Sequence, residues 1–209
     1  MRRREFLKSA FAGAGLLLAA TPGAKAADPS AGNPTDGTPM QFIPKKAADP
    51  QAAENDIAKY PKCPYCGMDR RQYHHSRMLV HYSDDLADGT CSLHCAAISL
   101  SINVDRGPKA IYVADNGSAA DPKPLIEAGN AVFLVGSSLK GVMTARSKVA
   151  YGTEAAAKAS QAANGGELAE FDKVLLAAYA DMAQDVAMIR KRRAERMKMQ
   201  HQHREHDHK

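Results

Sequence analysis

Every cysteine of the chain lies in one of two short segments, Cys63-Pro-Tyr-Cys-Gly-Met68 and Cys91-Ser-Leu-His-Cys95. Each segment carries a second donor, Met68 in the first and His94 in the second. Thiolate, thioether and imidazole together suit Cu(I), with Zn(II) as the competitor. Four chemistries fit these residue types. A redox dithiol at Cys63 and Cys66 needs an adjacent helix N-terminus to depress one thiol, whereas Gly67 and Met68 follow here. A structural zinc site would take all four cysteines as a tetrahedron. A copper site would join thiolates to Met68 or another thioether. Two disulfides would satisfy an oxidising compartment. Two arrangements also stay open, one ion held by all four cysteines or an ion shared between two chains of a homodimer.

The flanking sequence predicts the elements that position these groups. Gly67 implies a tight knuckle whose backbone turns around a bound ion. Ser92 stands where it can cap a helix over Leu93–Ser101, which sets Cys91 just before the helix and Cys95 one turn inside it. At four-residue spacing both sulfurs face the same way, and His94 points about a quarter-turn aside. Met78-Leu-Val-His-Tyr82 reads as a strand, with a turn at Asp84-Asp85 and a hairpin tip at Asp88-Gly89. The pair His74-His75 is a weaker donor candidate than the cysteines. Further strands are expected at 110–114, 131–135 and in a short segment ending at Tyr151. An Ala-rich helix capped by Thr153 then runs to Asn164-Gly-Gly166, and a brief strand follows at 168–171. Strand, strand, helix, strand occurs twice, which predicts an α+β fold of two ββαβ units with short sheets. From Phe171 to about Met199, apolar residues recur at three- and four-residue steps, the pattern of one long helix. Beyond it Met197, Met199, His201, His203, His206 and His208 alternate in a polar, His-rich tail, a composition that holds metal weakly and exchangeably.

At the other end, Arg2-Arg3-Arg4, a short apolar run to Ala20 and Ala24-Lys25-Ala26 make 1–26 a twin-arginine (Tat) export signal, so the Tat translocase is an expected transient partner and the periplasm the destination. The chain has 28 basic and 23 acidic residues; the signal holds five of the former (Arg2, Arg3, Arg4, Lys8, Lys25) and one of the latter (Glu5), leaving 23 and 22. A nearly neutral mature chain argues against nucleic acid as a partner. Residues 27–59, rich in Ala, Pro, Gly, Asp and Asn, read as a disordered linker, with folded structure beginning near Tyr60.

The knuckle, Leu134-Val-Gly with Met143 ahead of a strand, the Ala-rich helix and Asn164-Gly-Gly166 before Leu-x-x-Phe together resemble the NosL family over roughly residues 60–175. That resemblance implies a copper-binding accessory protein for the copper centre of nitrous oxide reductase, with a Cu(I) site between two ββαβ units. It places Cys63, Cys66 and Met68 in the knuckle and Met143 in the second half of the site. Family members are commonly lipid-anchored through an N-terminal cysteine, in whose place this chain has the Tat signal. Cys91 and Cys95 with His94 are instead similar to the YHS/TRASH metal-binding modules. The expected organisation is therefore 1–26 signal, 27–59 linker, 60–175 metal-binding domain and 176–209 helix and tail.

No nucleophile–base–oxyanion set occurs by motif, and the expected activity is not enzymatic. The first reading is a copper chaperone that passes Cu(I) to a client copper protein, nitrous oxide reductase or its assembly machinery. The alternative is a zinc- or disulfide-stabilised binding module with no delivery role.

Overall fold

The computed structural model describes residues 46–104 and 106–207, with side chains through 200. The expected export signal and the first part of the linker lie outside the described residues, as do the side chains of His201 and His203. Among the described residues, α1 (Asp56–Lys59) leads into β1 (Met78–Tyr82), β2 (Ala87–Thr90), α2 (Leu93–Ile102), β3 (Pro108–Ala114) and β4 (Leu125–Glu127). A 3-10 turn at Ala128–Asn130 then opens the second half, β5 (Val132–Val135), β6 (Lys148–Tyr151), α3 (Glu154–Asn164) and β7 (Glu167–Ala169), before α4 (Phe171–Asp207).

Both halves are ββαβ and all their pairings are antiparallel. The sheets run β2-β1-β3-β4 and β6-β5-β7, so the first strand of each half is central and its two partners flank it. β4 is an addition that sequence periodicity did not reveal, because three residues are too short to show alternation. One core unites the halves: Met78, Val80 and Tyr82 of β1, Ala96 and Ala97 of α2, Phe133 of β5 and Val174 and Ala178 of α4 are buried together. α4 contributes its first four turns to this core, and every residue from 191 to 200 is exposed. None of the helices in the described residues is long and apolar enough to cross a membrane.

Two expectations need correction. The segment at 84–90 turns at Ser83–Leu86, with Asp85 in the left-handed region at φ 60° and Tyr82 N–H donating to Leu86 O at 2.9 Å. Asp88-Gly89 is therefore not a hairpin tip but the middle of β2, where Asp88 is buried. The packed chain also begins upstream of Tyr60, which shortens the linker expected over 27–59. Ala52 and Asp56 are buried, and Asp56 bridges two buried guanidinium groups, at 2.8 Å from Arg70 Nη2 and 2.9 Å from Arg77 Nε. Arg70, 0% exposed, also donates to the carbonyls of Tyr60, Met78 and Thr90. A buried cation persists only when its donors are satisfied, and Asp56 supplies the charge that the composition of the segment conceals. Gly89 makes room for this arrangement: a Cβ there would lie 2.5 Å from Tyr60 Cβ and 2.7 Å from an Arg70 nitrogen.

Candidate metal centre

The knuckle is closed by its own backbone. Cys63 N–H donates to Met68 O and Gly67 N–H to Cys63 O, both at 2.9 Å, while Lys62 and Asp69 pair across the base. Gly67 takes φ 76°, the conformation that residue was expected to supply. Cys91 ends the run from β2, its carbonyl accepting from Ser76 Oγ at 2.8 Å, and Cys95 lies in the first turn of α2. Ser92 occupies the N-cap position without a side-chain capping bond.

These elements bring all four sulfurs together within a single chain, every pair within 4.8 Å. Cys66 and Cys91 Sγ are 3.4 Å apart and Cys91 and Cys95 Sγ 3.7 Å apart, all as free thiols. A tetrahedral ion with metal–sulfur bonds of about 2.3 Å requires sulfur separations near ~3.8 Å, so the cluster is already spaced for one ion. Cys63, Cys91 and Cys95 are buried and Cys66 is partly exposed, which gives the site one accessible edge. Met68 and Met143 pack against the same cluster, the latter carried by the β5–β6 loop with its backbone in the left-handed region at φ 62°. A non-glycine residue held there costs about 1 kcal/mol or more, and the geometry it secures is a thioether beside the cysteines.

Thiols in mutual contact share protons unequally. Contacts with Cys66, then Cys91 and Cys95, pull the Cys63 thiol far below its ordinary range. Contacts with Cys63 and then Cys66 hold Cys91 and Cys95 far above it. The first proton leaves easily and the last with difficulty, because each thiolate formed repels the next. A bound cation removes that repulsion and displaces the remaining protons.

A second layer of side chains fixes the knuckle. Tyr65, between the two knuckle cysteines, donates its hydroxyl to buried Asp88, and Ser99 donates to the same carboxylate oxygen at 2.7 Å. Burial pushes the Asp88 carboxyl above its usual range despite these bonds. Sequence reading missed this trio, although Cys91, Cys95 and Ser99 stand at successive four-residue steps. His94 is not part of the sulfur cluster. Its imidazole is buried with Nδ1 3.6 Å from Asp185 Oδ2 on α4, beyond hydrogen-bond length, and burial holds its pKa below the usual value. Asp185 in turn accepts from Ala145 N–H at 3.0 Å, tying α4 to the loop that carries Met143.

The model of the NosL family matches residues 54–179, from just upstream of α1 into the core-facing part of α4. This chain belongs to the NosL family. The match begins before the 60–175 expected and includes the Asp56 segment. Among solved structures, that of the copper chaperone NosL from Shewanella denitrificans is similar at 24% identity, covering 61% of this chain and 92% of that one, with a TM-score of 0.45. No curated relative matches. In this NosL-family chain both ββαβ halves meet at the sulfur cluster, the first carrying the four cysteines and Met68 and the second carrying Met143, with both methionines packed against the cysteines.

Proposed function

We propose that the chain is a periplasmic Cu(I) chaperone, exported by the Tat translocase, that delivers copper to a client such as nitrous oxide reductase or its assembly machinery. The observation that carries this reading is the placement of two thioethers, Met68 and Met143, against a thiolate cluster with one accessible edge. Soft ligands of two kinds can be exchanged one at a time, so Cu(I) enters and leaves without ever being bare. His201 and His203, with the other donors of the tail, supply a weak collecting site. Family membership supports the copper assignment, and the full set of sulfurs in one chain removes any need for a partner protomer to complete the site.

A second reading is favoured by a specific feature. Four cysteine sulfurs at tetrahedral spacing also suit Zn(II), which would make the centre structural. The two readings differ in what the thioethers do. Replacing Met68 and Met143 by Leu keeps the volume and removes the donors. In competition with a Cu(I) chelator, the copper chaperone loses affinity on that change by about tenfold or more. A zinc centre retains its ion unchanged in the same variant, and that result would overturn the chaperone reading.

A further inference from the structure

A groove of about 770 Å³ opens from the exposed edge of the cysteine cluster, with Cys66 and Met143 on its inner side and the exposed part of α4 on its outer side. That part of the helix is strongly cationic: between positions 190 and 198, Arg190, Lys191, Arg192, Arg193, Arg196 and Lys198 stand against the single acid Glu195. The fold does not neutralise this charge. Among the described residues, each arginine ahead of α4 is paired with a carboxylate, Arg70 and Arg77 with Asp56, Arg71 with Asp121, Arg106 with Asp84 and Arg146 with Asp181. Arg190, Arg192, Arg193 and Arg196 have no such partner among the described residues, Glu195 included. Arg196 is four residues from Arg192 and three from Arg193, so the three share one side of the helix. That side lines the groove together with Lys140, and Glu195 is the one acid beside them.

Resting on the copper reading above, we propose that this cationic face is the docking surface for the client, which meets it with a cluster of carboxylates beside its own copper-accepting ligand. Like charges at three- and four-residue spacing repel one another along a helix, and every residue from 191 to 200 is exposed, so burial does not offset the repulsion. Carboxylates of a partner relieve it and add attraction. They also set the register. The groove that carries the arginines leads to Cys66, the accessible sulfur, so a partner seated on them holds its acceptor over the edge where copper leaves. Copper passes as Cu(I) by exchange of one sulfur ligand for another, with no electron moved and each released thiolate taking up a proton from solvent. Attraction between opposite patches acts mainly on the rate of encounter, which suits a delivery that must let its partner go afterwards. An anionic membrane fits this helix less well. A helix lying on lipid needs an apolar face opposite the basic one, and positions 190–200 offer only Ala194, Met197 and Met199.

The test uses the full chain and one synthetic methionine-rich acceptor peptide in two versions, flanked by glutamates or by lysines. Fluorescence anisotropy of each peptide against the metal-free chain reads docking without copper. Anaerobic mixing with the Cu(I)-loaded chain then reads transfer, through loss of the ultraviolet thiolate-to-copper absorption. The glutamate version should bind more tightly and accept copper faster than the lysine version, each by about tenfold or more, with both differences shrinking as salt is raised. Arg192→Gln/Arg193→Gln/Arg196→Gln should abolish the preference and Arg192→Lys/Arg193→Lys/Arg196→Lys should retain it, while both variants keep the copper affinity of the parent. Equal binding of the two peptides, or a preference that survives the glutamine substitutions, overturns the docking surface and leaves the chaperone reading standing. Phosphatidylglycerol vesicles that displace the glutamate peptide from the chain overturn the protein partner in favour of a membrane. A thiolate absorption that never develops, with the peptide preference intact, overturns the copper reading and leaves an acidic docking surface standing.

Discussion

At the scale of single residues, the centre depends on backbone conformations that its sequence permits at few positions. Gly67 turns the knuckle at φ 76°, and a Cβ added there meets no atom within 4 Å. Any cost of Gly67→Ala is therefore conformational, roughly 1 kcal/mol, rather than steric. The variant should lose about that much stability in chemical denaturation and release metal faster, because the strain falls on the loop between Cys63 and Cys66. A variant as stable and as retentive as the parent would show that the knuckle has another backbone solution. The cysteines and Met68 were legible because their spacing is itself the signal. Tyr65 and Asp88 were not: a lone tyrosine and an Asp-Gly pair read as turn chemistry, and only the pairing of β1 with β2 reveals that Asp88 points beneath the knuckle.

Among elements, α4 has the most to explain, since it is 37 residues long and its core-facing stripe stops well before its end. Asp181 clamps it to the second half, accepting from Arg146 Nε and Lys148 Nζ, both at 2.8 Å. Burial pushes this carboxyl up, and the hydrogen bonds from Arg146 and Lys148 outweigh it, so the group titrates below its ordinary 3.8. A depressed carboxylate gives stability that is complete above 3.8 and is lost as the pH falls through its lower value in the fold. Asp181→Asn should therefore cost about 1 kcal/mol at neutral pH, a difference that shrinks toward zero in strong acid, as read by denaturation at the two pH values. An undiminished difference in acid would mean that packing, not charge, accounts for the loss. The helix itself was evident from its apolar period. Its buried Asp185, facing His94, was not, since an acid on an apolar stripe has no local signature.

Across the whole molecule, the doubled ββαβ order was legible because Gly, Asn and Asp punctuate each strand and helix, and both sheets follow that order. What composition hid was the start of the fold. Residues 46–59 have few large apolar groups; beyond Ala52, buried with Tyr60, Leu79 and Ala87, they are held by one carboxylate between two buried arginines. No local pattern announces a partnership spanning positions 56, 70 and 77. The same limit applies to the candidate site, where the first half was readable as a motif and the place of Met143 beside the cysteines was anticipated only through family resemblance. The resulting molecule places a thiolate cluster under a groove walled by both halves and α4, an arrangement suited to holding a soft ion that must later leave. The most direct test loads the full chain with one Zn(II) under anaerobic conditions and then adds chelator-buffered Cu(I), with both metals measured on the protein. The account predicts one-for-one replacement, Zn(II) appearing in solution as Cu(I) binds at Cys63, Cys66, Cys91 and Cys95; one Zn(II) per chain that stays in place against excess buffered Cu(I) would contradict it.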